Sequence, residues 1–89
     1  MLSKRTARQW VQALRSGKYG KCNGSFATED GRYCALGVLK HEILSGDSIS
    51  DKISDELFHE VVRRNDGDGG LRPQSFKRIA TWLEKRLKL

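Results

Sequence analysis

Residues 30–39, DGRYCALGVL, decide how the chain is read. The turn dipeptide Asp30-Gly31 runs directly into an aromatic, a cysteine and an apolar run with a glycine inside it. Such a stretch can open a helix with a reactive thiol at its N-terminus, where the helix dipole lowers a cysteine pKa. It can equally mark a packing joint, since cysteine is among the most buried residue types and Gly37 removes a side chain where another element comes close. A thiol nucleophile needs a histidine within hydrogen-bond reach. His41 lies seven residues on, about 10 Å along a helix, and His59 falls in a different predicted helix. With no further triad partner in the pattern, the packing joint is the better reading, and the chain is expected not to be an enzyme.

Working outward, residues 35–45 read as a central helix, with Leu36, Leu39 and Ile43 in one stripe and Val38 and Leu44 widening it. Ser45-Gly46-Asp47 is the expected stop. Upstream, Ala7, Trp10, Val11 and Leu14 recur at i, i+3, i+4 and i+7, which predicts a helix over 3–16, with Ser3 as N-cap and Gly17 as stop. Downstream, Ser50 or Ser54 can cap a helix over 52–64, with Ile53, Leu57, Phe58, Val61 and Val62 facing inward. Asp51, Asp55 and Glu56 stand in or near its first turn and Arg63 and Arg64 in its last, as the dipole favours. Residues 65–70, NDGDGG, read as a turn, and Pro73 suits the first position of a last helix over 74–88. Residues 18–34 carry two strong turn dipeptides, Asn23-Gly24 and Asp30-Gly31. They predict a short β-hairpin, Ser25–Thr28 against Arg32–Cys34, or a long ordered loop. The fold class is therefore α+β, mainly helical, with four helices in a single domain spanning 1–89.

The 89 residues bury only a small core. The apolar fraction of 37% is too high for a disordered tail. No apolar run approaches the length needed to span a bilayer, and the N-terminus lacks the apolar core of a secretory signal. A cytoplasmic location and two free thiols are expected.

The net charge of +6 is segregated. Residues 1–21 carry six Lys/Arg and no acid, and residues 72–89 carry six and one acid. Residues 47–71 carry seven acids against three bases. If the terminal segments pack side by side they make one basic face, which attracts phosphates or an acidic protein. A solvated lysine-rich surface is the bland alternative.

Other chemistries fail on spacing. Cys22, Cys34, His41 and His59 offer no close ligand pair for zinc. A calcium loop starting at Asp66 would put Gly70 fifth and Lys77 twelfth, where a glutamate is needed. The P-loop spacing is absent. Arg15, Lys18, Lys21 and Arg32 do flank the glycine-rich loop next to a helix start, and they are the candidate anion-binding residues. SFKRIATWLEKRLKL is similar to the first helix of a helix-turn-helix unit, but no recognition helix follows it.

WVQALRSGKYGK, DGRYCALGVL, RND and SFKRIATWLEKRL together resemble a group of small phage and prophage proteins. The resemblance covers most of the chain, with residues 47–62 adding little. The family pattern often has a second cysteine after the first. Here Ala35 holds that position, which weighs against a thiol or metal role. The resemblance implies a viral accessory protein in the host cytoplasm. The expected function is non-enzymatic interference with a host defence or regulatory factor, by binding an acidic protein surface or a signalling nucleotide. Non-specific DNA or RNA binding is the alternative. No cofactor, metal or membrane contact is implied. A homodimer through Trp10, Trp82 or Leu89 stays open, although the core claims these residues first.

Overall fold

The computed structural model describes residues 2–45, 48–68 and 70–89. Helix α1 spans Lys4–Arg15. Helix α2 spans Ala35–Gly37 and continues as a π-helical segment, Val38–Ile43. Helix α3 spans Asp55–Asp66 and helix α4 spans Phe76–Arg86. The chain is mainly helical, as its periodicity predicts. Helices α1, α3 and α4 each begin on a serine whose hydroxyl accepts from a backbone N–H three residues on: Ser3 from Thr6, Ser54 from Leu57 and Ser75 from Arg78. Gly17, with φ at 74°, follows α1 as its stop.

Three boundaries differ from the sequence reading. Helix α3 is capped by Ser54, one of the two candidate caps, and starts at Asp55 and not at 52; residues 52 and 53 fall in turns, although Ile53 is buried. It then runs through Asn65 and Asp66 before ending at Gly67. Pro73 lies outside α4, whose cap is Ser75. Of the stop read at Ser45-Gly46-Asp47, Gly46 and Asp47 lie outside the described residues, as does Gly69 of the NDGDGG turn.

The segment 18–34 is an ordered loop and not a hairpin. Its pairing is limited to two isolated bridges, both through Tyr33: one parallel with Lys21 and one antiparallel with Ala27. The expected approach of 25–28 to 32–34 does occur, with Cys34 N–H donating to Phe26 O at 3.2 Å and Thr28 N–H donating to Arg32 O at 2.9 Å. It extends no further because Tyr33 turns its own N–H to Gly20 O and takes Cys22 N–H on its carbonyl, each at 2.8 Å. One residue is thus shared between two neighbouring stretches, and neither pairing grows into a ladder.

The core draws on all four helices. Trp10, Val11 and Leu14 from α1 pack with Ala35, Leu36, Val38 and Leu39 from α2 and its continuation. Ile53, Leu57 and Val61, then Phe76, Ile79, Ala80 and Leu83, complete it. Trp10 is fully buried, and its indole N–H donates to Ala35 O at 2.9 Å. That bond supplies the partner a buried indole requires and ties α1 to the start of α2. Helices α1 and α4 pack directly against each other. Across α3 and α4, the Arg64 guanidinium stacks over the Trp82 ring at 4.2 Å, and Arg86 pairs with Glu60 at 3.1 Å.

Candidate functional site

The loop that carries three of the four candidate anion contacts is held from inside by Asn65, the one buried polar residue among the described residues. Its Oδ1 accepts from Ala35 N–H at 3.0 Å, and its Nδ2 donates to Cys22 O at 3.0 Å and to Asp66 Oδ1 at 2.8 Å. Asp66 Oδ1 also accepts from Gly24 N–H at 3.1 Å. The end of α3 thereby fixes both the loop and the start of α2.

Within this frame the candidate cations go different ways. Lys21 turns inward: its Nζ donates to Asn65 O and to Asn23 Oδ1, each at 2.6 Å, closing the carbonyl end of α3. Burial holds its pKa below the usual lysine value, against the opposing pull of Asp66. Arg32 lies over Gly20 and pairs through Nε with Asp30 at 3.0 Å. Arg15 reaches across to α4, where it pairs with Glu84 and donates to Thr81 Oγ1 at 3.2 Å. The Arg15 guanidinium, hydrogen-bonded to Glu84, holds that carboxyl below its ordinary pKa. Lys18 stands in solvent with its ammonium 5.6 Å from the Tyr19 ring. Lys21 and Arg32 flank one backbone bridge, but their charges do not converge on a common point.

Cys34 is the N-cap of α2. Its sulfur accepts from Gly37 N–H at 3.3 Å. Burial pushes its thiol pKa up, against the Gly37 and Leu36 N–H groups that lower it. The His41 ring sits against Tyr33, 5.9 Å between centroids, and the His59 ring against Phe58 at 5.7 Å. Among the described residues no group of three or more His, Cys, Asp and Glu is placed to hold a metal ion. A thiol in this state is slow to ionise and hard to reach. Iodoacetamide at pH 8 is therefore expected to alkylate Cys34 roughly tenfold or more slowly in the folded protein than in urea, read by mass spectrometry of timed samples. Because the folded pKa is raised, the folded state keeps its proton while the unfolded chain releases one. Stability attributable to this thiol thus falls as pH rises above the unfolded value, and a Cys34→Ser variant loses that alkaline component.

A second grouping of cations emerges only from the packing of α1 on α4. Lys4, Arg8 and Arg15 recur along one stripe of α1, at i, i+4 and i+11. Arg15 meets α4 at Thr81 and Glu84. Beside Thr81, the residues Lys77, Arg78, Trp82 and Lys85 line a shallow groove along α4. Lys4, Arg8, Lys77, Arg78 and Lys85 are all exposed. The single acid on either helix is Glu84, already paired with Arg15. The signal for this seam was present in the sequence as two basic terminal blocks with helical spacing. What the blocks lacked was the packing that joins them.

Comparison of the chain with protein-family models, with curated proteins and with solved structures finds no match. Among the described residues no helix is long and apolar enough to cross a membrane.

Proposed function

We propose that this protein is a binding module of the phage accessory kind, acting in the host cytoplasm, which interferes with a host factor by covering an acidic protein surface with its α1/α4 seam. The observation that carries this reading is the stripe of exposed cations on two packed helices, whose one acid is internally paired. Cations spread along two helices suit an extended anionic partner better than a compact one, because each attraction falls off within about 8 Å in physiological salt. The signalling-nucleotide reading draws less support, since Lys21 is already held by Asn65 O at the end of α3 and Arg32 by Asp30 in the loop. The resemblance to phage and prophage proteins supplies the biological setting.

Non-specific nucleic-acid binding is the second reading. It is favoured by the groove in which Trp82 lies among Lys77, Arg78 and Lys85, an aromatic between phosphate-binding side chains. Against it, Arg64 already covers a face of the Trp82 ring.

The triple variant Arg8→Glu, Lys77→Glu, Lys85→Glu separates the readings. With nuclease-treated host lysate, the wild type is expected to retain an acidic protein identified by mass spectrometry. The variant should retain it at roughly a tenth of the level or less, with a thermal midpoint within a few degrees of wild type, because exposed positions contribute little to stability. Undiminished capture by the variant rejects the seam. Capture that disappears with nuclease treatment favours nucleic acid instead.

A further inference from the structure

On the flank of α3 that faces away from α4, the loop and the start of α2 enclose a cavity of about 330 Å³. The orientation follows from α3 itself: Glu60 and Arg64 reach α4 residues, whereas Phe58, Val62 and Asp66 line the cavity. Leu36 and Cys34, both buried, form its deep part, and the exposed Gly24, Ser25 and Phe26 form its rim. The walls are fixed from both sides. Phe26 meets Phe58 edge to face, 6.3 Å between centroids, and its carbonyl is held by Cys34 N–H. Asp66 Oδ1 is held by Gly24 N–H and Asn65 Nδ2.

We propose that this cavity binds a small apolar amine, its aromatic or branched aliphatic body against Phe26, Phe58, Leu36 and Val62 and its ammonium on the Asp66 carboxylate. The inference is independent of the α1/α4 seam. Apolar walls with one oriented polar group are the usual make-up of a small-molecule site. The volume lies near the lower end of the roughly 300–1,000 Å³ range of small-molecule sites, which suits a small ligand. The polar groups in the lining select the ligand's charge. The Asn65 side chain is occupied by Ala35, Cys22 and Asp66, and the Ser25 hydroxyl donates to Ala27 O. Asp66 lines the cavity, and neither of the two bonds that orient its Oδ1 uses its second oxygen, Oδ2. The ammonium of Lys21, which senses this carboxylate, is itself committed to Asn65 O and Asn23 Oδ1. An amine donor therefore finds an acceptor here, while an anionic ligand finds a carboxylate.

The test is a ¹H–¹⁵N titration of the full chain with phenethylamine and, separately, with phenethyl alcohol. The expected result is saturable shifts at Gly24, Phe26, Val62 and Asp66, with the amine binding up to about fivefold more tightly than the alcohol. Asp66→Asn keeps the acceptor oxygen for Gly24 N–H and should erase that preference. Val62→Phe fills the cavity and should abolish both. No saturable shift at these amides with either compound overturns the proposal. Equal affinity of the wild type for the two compounds, or a preference that survives in Asp66→Asn, overturns the role given to the carboxylate.

Discussion

Asn65→Ala is expected to lower stability by about 3–4 kcal/mol, because it strands two buried backbone groups at once, each worth about 1–3 kcal/mol when left unsatisfied. The Ala35 N–H loses its acceptor at the start of α2, and the Cys22 carbonyl loses its donor in the loop. Asp66 Oδ1 loses one of its two donors as well. A chain of this length has a total stability of about 4–13 kcal/mol, so the variant forfeits a large part of it. The thermal midpoint should fall by about 12 °C or more, at about 4–8 °C per kcal/mol for a domain of this size. The damage should be local in character. Hydrogen exchange at Ala35 and in residues 20–34 should accelerate by more than exchange in α1 and α4, since only the former elements depend on Asn65. Asn65→Asp is an informative companion: it keeps the acceptor for Ala35 but removes the donor to Cys22 and sets a carboxylate beside Asp66. It should not rescue. A loss below about 1 kcal/mol in Asn65→Ala, within the range of ordinary surface substitutions, would mean that the loop is held by its apolar contacts instead.

The same residue shows where the sequence stops being readable. Asn65-Asp66-Gly67 carries strong local turn chemistry, and a turn is what it predicts. The helix nonetheless continues through both residues, because Asn65's amide finds Ala35 and Cys22, partners separated from it by 30 and 43 residues. Local propensity cannot register partners that distant. The opposite error arises at residues 52 and 53. Ile53 and Leu57 stand four residues apart and look like one helical face, yet the first is buried from a turn and only the second from α3. Burial, not helicity, set that spacing. Helix α1 was legible because several signals agree in it, a serine cap, an apolar stripe and a glycine stop with positive φ; α4 was legible from its apolar stripe, while Ser75 and not Pro73 sets its start.

The candidate anion residues show a comparable limit. Arg15, Lys18, Lys21 and Arg32 were grouped by their nearness to a glycine-rich turn, and backbone proximity is indeed what Lys21 and Arg32 have. A long flexible cation, however, goes where a carbonyl or carboxylate accepts it, and Asn65 O, Asp30 and Glu84 draw three of the four apart. The charge blocks at the two ends carried the more durable information. Their exposed members need no particular partner to remain on the surface, so the packing of α1 on α4 is enough to align them. The opening stretch, DGRYCALGVL, was read as a packing joint, and its chemistry now has a geometry: Cys34 caps α2 through sulfur, and the backbone of Phe26 lies against Gly37.

That contact makes Gly37→Ala the second large effect, and it sets two rules in opposition. Helix propensity alone favours alanine over glycine in a helix interior by roughly 0.5–1 kcal/mol. Sterics point the other way. A Cβ built on Gly37 would lie 1.7 Å from Phe26 O, 2.7 Å from its carbonyl carbon and 3.2 Å from its Cα. All three are backbone atoms, so no rotamer change relieves the overlap. The Phe26 carbonyl is also the acceptor for Cys34 N–H, and moving it breaks that bond. The displaced loop would carry the Phe26 ring away from Phe58 and open the cavity beside Cys34. The overlap exceeds the usual 1–3 kcal/mol of an overpacked core, and with the lost hydrogen bond a destabilisation of about 3 kcal/mol or more is expected. Gly17→Ala supplies the contrast. Gly17 has φ at 74° and nothing within 4 Å of a built Cβ, so it should lose only the left-handed backbone penalty of about 1–2 kcal/mol. Urea unfolding of both variants orders the two effects. Gly37→Ala the more stable of the pair, or more stable than the wild type, would show that the Phe26 backbone yields freely and that the joint between loop and helix is not a rigid one.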